Sequence, residues 1–113
     1  VGVSNEEMNT AIRKLIDQEG GFVMVENGEV IASLALPVAG LMSDLSGEEI
    51  ADHLRFLHDT AIEKLGVSEE VDPITTLYFM SLIVIPELKI STRGLFDVRT
   101  FGFVPIEADA ASE

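Results

Sequence analysis

Asn27-Gly28 lies between two apolar runs, Phe22 to Glu26 and Glu29 to Leu36. This dipeptide accepts positive φ at both central turn positions, so it strongly specifies a two-residue β-hairpin. A two-residue loop also sets a register. It predicts Val25 opposite Val30 and Val23 opposite Ala32 on one side. Met24 opposite Ile31 and Phe22 opposite Ser33 are predicted on the other. Both faces are largely apolar, so the ribbon is expected to be covered on both sides, or on one side by another subunit. Glu26 opposite Glu29 is a like-charge pair beside the turn.

Helices are expected before and after this hairpin. Ser4 can cap free N–H groups, with Glu7 as its capping-box partner. Met8, Ile12, Leu15 and Ile16 then recur at helical spacing, and Gly20-Gly21 ends the helix. Ser46 and Glu49 repeat the capping box. Ile50, Leu54, Leu57, Ala61 and Leu65 form the expected buried face of the second helix, and Gly66 ends it. Val67 to Pro73 reads as a linker. Thr76 to Val84 is rich in β-branched and aromatic residues and reads as a buried central strand. A buried helix is the rival reading, because Asp72-Pro73 also makes a good helix start. Leu88 to Ser91, Leu95 to Val98 and Phe101 to Val104 are strand candidates, with Thr92-Arg93-Gly94 as a turn. The pattern predicts an α+β fold, a mainly antiparallel sheet with two amphipathic helices packed on it. One domain is expected over residues 1–106. Val1-Gly2-Val3 reads as the end of a strand, and 107–113 as a frayed acidic tail.

Composition narrows the function classes. The chain has 113 residues, 20 acidic against 7 basic, and a net charge of −13. Such a surface repels phosphate backbones and anionic lipid, so neither nucleic acid nor a membrane is an expected partner. No cysteine is present, which removes disulfides, thiolate metal sites and a cysteine nucleophile. The longest apolar run, Leu77 to Ile85, is too short to span a bilayer. A cytoplasmic location is the expectation.

Catalytic signals are absent. His53 and His58 are five residues apart on one predicted helix and point to different flanks, so they cannot share one metal ion. Glu6-Glu7 and Glu48-Glu49 sit in first helical turns, where carboxylates favour the helix dipole. Glu69-Glu70 has no partner pattern. No nucleophile elbow and no phosphate-binding glycine loop occur.

Two segments look specialised, Leu36 to Asp44 and Ile83 to Val98, and with the hairpin they hold three blocks: Gly20 to Gly28, Leu36 to Asp44 (Leu-Pro-Val-Ala-Gly-Leu-Met-Ser-Asp), and Val84 to Lys89 (Val-Ile-Pro-Glu-Leu-Lys). Their order and spacing resemble the C-terminal domain of bacterial adenine deaminases, over nearly the whole chain. The resemblance implies a parent enzyme of the amidohydrolase superfamily that hydrolyses adenine to hypoxanthine and ammonia in purine salvage. It implies divalent metal, manganese or iron, held by a (β/α)₈ barrel that is not in this chain. No catalytic or metal-binding residue is then expected here, no cofactor, and no activity of this chain alone. The expected partners are that barrel and further copies of the chain in a homo-oligomer. The stretch Pro37 to Asp44 is unusually apolar for a connector. Gly40, Met42, Ser43 and Asp44 are the candidate interdomain or substrate-entrance contacts: Gly40 for close backbone approach, Met42 for packing, Ser43 or Asp44 for a hydrogen bond. A loop folded onto its own domain is an equal alternative. A free-standing binding or oligomerisation module is the rival for the whole chain.

Overall fold

The computed structural model describes residues 1–107. The tail expected over 107–113 therefore lies outside the described residues, apart from Glu107. Three helices and five strands follow one another: α1 (Asn5–Asp17), β1 (Gly21–Glu26), β2 (Glu29–Ala35), α2 (Gly47–Glu63), α3 (Pro73–Ser81), β3 (Leu88–Ser91), β4 (Gly94–Asp97) and β5 (Gly102–Val104). The class is α+β and all strand pairing is antiparallel. The strands make two sheets, β1-β2 and β3-β4-β5. The chain forms two compact units, Val1–Ile74 and the residues from Thr75 onward. Among the described residues no helix is long and apolar enough to cross a membrane.

In the first unit the hairpin turns at Asn27 and Gly28, with φ of 53° and 81°. Val25 pairs with Val30, and Glu26 with Glu29. The predicted register fails one step further on. Met24 pairs with Ala32, Val23 with Ser33 and Phe22 with Leu34, because the register shifts between Met24 and Val25. The shift leaves Ile31 without an opposite residue, as in a β-bulge. Its effect is on burial. Met24, Ala32, Leu34 and Leu36 now share one buried cluster with Leu57 and Ala61 of α2. Strict pairing would have set Phe22 against Ser33. Leu57 is 1% exposed, and burying such a side chain stabilises by roughly 1.5–3 kcal/mol. Phe22, Ile31, Ile50, Leu54, Val67 and Ile74 pack around the cluster.

Both predicted helices form at their predicted N-caps, but the predicted capping box is complete only at α2. The Ser4 hydroxyl accepts from Glu7 N–H at 3.1 Å. At α2 the capping box closes in both directions: Ser46 Oγ accepts from Glu49 N–H, and Glu49 accepts from Ser46 N–H at 3.0 Å. Three burial expectations are corrected. Leu65 lies beyond the end of α2 and is exposed. Ile12 and Ile16 of α1 are also exposed, at 54% and 69%. Although α1 lies against β1 and β2, it contributes no residue to the buried cluster. Val1–Val3 form no strand, and Val1 and Val3 are fully exposed.

Of the expected buried strand over Thr76 to Val84, the part up to Ser81 is instead the helix α3 and the rest is neither helix nor strand. Tyr78, Phe79, Met80, Ile83 and Val84 are exposed. The local start signal decides the outcome. Asp72 Oδ1 accepts from Ile74 N–H at 3.0 Å, and Pro73 occupies the first helical position, where its missing N–H costs nothing. A helix satisfies its own backbone, whereas a central strand needs neighbours on both sides.

The later strands appear as expected within one residue. The β3-β4-β5 meander pairs Lys89 with Phe96 and Phe96 with Phe103. Phe96 meets Phe101 and Phe103 edge-on, with centroids 5.3 and 5.4 Å apart. The Arg93 guanidinium lies 5.2 Å from the Phe103 ring centroid, a cation–π contact.

Candidate functional site

The stretch from Pro37 to Asp44 is fixed at both ends. It leaves the buried residue Leu36 and enters the Ser46 cap of α2. Between them the chain makes a tight turn. Leu41 N–H and Met42 N–H both donate to Val38 C=O at 3.1 Å, and Val38 N–H donates to Met42 C=O at 3.1 Å. The turn needs left-handed backbone at Ala39 (φ 57°) and Gly40 (φ 73°), which Gly40 adopts without a Cβ penalty.

The turn is seated on the end of α1. A Cβ added to Gly20 would stand 2.7 Å from Gly40 Cα, so the two backbones meet with no room for a side chain. Gly20 itself is held by Gln18. The Gln18 side-chain amide donates toward three carbonyls, Gly20 at 3.0 Å, Phe22 at 3.2 Å and Leu34 at 3.2 Å. Its two N–H groups are shared among the three acceptors. Leu36 N–H also donates to Gly20 C=O at 3.4 Å. From sequence, Gly20 has a helix-ending role and a place in the first motif block, and Gln18 has neither. The available signal was a long amide side chain directly before Glu-Gly-Gly.

The four candidate residues therefore have different surroundings. Gly40 makes the close backbone approach, and its partner is Gly20 of the same unit. Met42 is 60% exposed, and Val38 and Leu41 beside it are exposed as well. Ser43 is half-buried and its hydroxyl accepts from Leu45 N–H at 3.1 Å. Asp44 is exposed. The backbone is anchored internally while the apolar side chains face outward.

Glu49 is held below the usual carboxylate range by the hydroxyl and N–H of Ser46. His53 is exposed, and His58 Nδ1 lies 3.6 Å from Asp59 Oδ1 on the same helix. Among the described residues no three His, Asp or Glu side chains converge as a metal site. They do not fit the divalent metal that the resemblance assigns to the barrel outside this chain.

A family profile, the adenine deaminase C-terminal domain, matches residues 1–102. The chain belongs to this family. An "Adenine deaminase 2" of Desulfotalea psychrophila is 49% identical over 96% of the chain. An adenine deaminase of Methanosarcina mazei is 48% identical over 96% of it, and one of Bacillus subtilis is 39% identical over 95%. The chain spans only 19%, 19% and 18% of those three proteins. No solved structure matches it.

Proposed function

We propose that this domain serves an adenine deaminase, in which a metal-bearing barrel hydrolyses adenine to hypoxanthine and ammonia, and that the domain supports the barrel and the subunit contacts without supplying a catalytic group. The observation that carries this reading is the turn Val38–Met42. Its backbone is locked onto Gly20, yet Val38, Leu41 and Met42 are exposed. A rigid apolar knob loses little conformational entropy when it is covered, so it suits a permanent contact. The same reading assigns the parent to purine salvage in the cytoplasm, with manganese or iron held outside this domain.

Met42→Glu tests the reading. In the isolated chain Met42 is exposed, so the unfolding free energy should change by less than about 0.5 kcal/mol. In the full-length enzyme the same change buries an unpaired carboxylate, costing on the order of several kcal/mol. Assembly or deaminase activity should then be lost. Equal destabilisation of the isolated chain, or an unaffected full-length enzyme, would end the proposal.

A further inference from the structure

The helix α1 carries an apolar ridge that the rest of its unit leaves bare. Met8, Ile12 and Ile16 recur at four-residue spacing, so they stand in one row along the helix. Met8 is half-buried, but Ile12 is 54% and Ile16 69% exposed. Asn5 and Asn9 are exposed as well. Asn9 is three residues before Ile12 and seven before Ile16, which puts it on the same side of the helix. The hairpin lies against α1, yet these residues are open to solvent.

The ridge begins where the chain enters the domain. Gly2 lies against Met8: a Cβ added to Gly2 would stand 2.6 Å from Met8 Cγ. Val1 and Val3 on either side of Gly2 are fully exposed. The family is a C-terminal domain, and the chain is 19% of its Desulfotalea relative, so in the full-length protein further chain leads into Val1. Attachment at Val1 holds that chain at high effective concentration beside the ridge. From Met8 to Ile16 the ridge is about 12 Å long, a distance that about four extended residues span. The amides of Asn5 and Asn9 can both donate to and accept from an extended backbone, which needs such partners once it is covered. A second copy is a poor occupant. Residues 1–74 hold 15 of the 20 acidic residues and four of the seven cations, so two copies meeting through α1 repel each other.

We infer that Ile12 and Ile16 seat the segment that immediately precedes Val1 in the full-length enzyme, as an extended stretch laid along α1. The join between this domain and the one before it is then packed, not a free linker. This inference rests on membership in the family and not on the role given to the Val38–Met42 turn.

Thiol labelling in the full-length enzyme tests whether the ridge is covered. Asp17 is exposed and lies next to Ile16 in sequence, but it points to a different flank of the helix. With mass spectrometry of the peptide that carries each thiol, Ile16→Cys should react with a maleimide about tenfold more slowly than Asp17→Cys. Ile12→Cys repeats the comparison one turn away, and circular dichroism shows that each variant folds. Photocrosslinking identifies the occupant. A benzophenone side chain in place of Ile16 should crosslink to the stretch directly before Val1. In enzyme assembled from isotope-labelled and unlabelled subunits, that crosslink should stay within one polypeptide. Equal labelling rates at positions 12, 16 and 17 would overturn the inference. Crosslinks to another subunit, or to a part of the chain remote from Val1, would do the same. Neither readout uses Met42 or deaminase activity, so failure here and failure of the Met42 experiment are separate results.

Discussion

Residues 1–74 and 75–107 are built by opposite means. The first unit buries Met24, Ala32, Leu34, Leu36, Leu57 and Ala61, and it carries nearly all the excess negative charge. In the second, the residues buried to that degree include Asp97 but no apolar side chain, while Phe79, Ile90, Phe101 and Phe103 are exposed. Its order comes from ring contacts about Phe96 and from a polar clasp. Asp97 accepts from Arg99 N–H at 2.8 Å and from its guanidinium at 3.3 Å. The contrast teaches where each kind of surface is useful. A charged shell over a packed core stands alone in water, whereas a neutral meander with exposed rings gains by being covered.

The largest expected effect separates the two cores directly. Leu57→Ala should cost about 2–5 kcal/mol in the unfolding free energy of residues 1–74, because its cavity lies among buried neighbours. Ile90→Ala in the second unit should cost less than about 0.5 kcal/mol in dilute monomer. Urea unfolding of both variants makes the comparison, and similar losses would break it.

A matched glycine pair sharpens it. Gly20 and Gly94 both have positive φ, 114° and 129°. A Cβ at Gly20 collides with Gly40, whereas the nearest atom to one at Gly94 is Phe103 Cδ1 at 3.9 Å. Gly20→Ala should therefore add a collision to the backbone strain, for a loss of about 1–3 kcal/mol. Gly94→Ala bears the strain alone and should cost less. Thermal unfolding ranks them, and the reverse order would show that Gly20 and Gly40 are not in contact.

The smallest effect is confined to acid. Arg99, through its side chain and then its N–H, holds Asp97 below the usual carboxylate range. A lowered folded pKa means the stabilisation is complete above the unfolded value of about 3.9. It fades as pH falls through the lowered folded value. Amide exchange at Arg99 should quicken over that window, and Asp97→Asn should remove the pH dependence. Glu49 behaves with the same sign at its cap, but there the packed cluster remains. Faster exchange in β1 and β2 at the same pH would contradict the distinction.

Local signals were read well wherever one short segment satisfies itself. Asn27-Gly28 specified its turn, and Ser46 with Glu49 specified the start of α2. The short strands of the meander were placed within a residue, because Gly94 and its neighbours punctuate them. The three motif blocks marked the family, since their order survives without any knowledge of packing. Gly40 was singled out for close approach. That its partner is Gly20, twenty residues earlier, was not legible.

The errors share one cause. Thr76 to Val84 has strand composition, but Asp72 and Pro73 let a helix close on itself, and no neighbouring strands were there to claim the segment. Ile31 breaks the hairpin register because Met24, Leu34 and Leu57 pack together only if the ladder slips by one residue. Ile12 and Ile16 fit a buried stripe by periodicity, yet the cluster they would join is filled from α2. Sequence by itself determined the caps, the turns, the antiparallel class and the family, all of which depend on contacts within a few residues or on ordered motifs. Tertiary structure alone decided the bulge, the Gly20–Gly40 contact, and which apolar residues remain outside, because each rests on a competition between distant side chains for the same buried space.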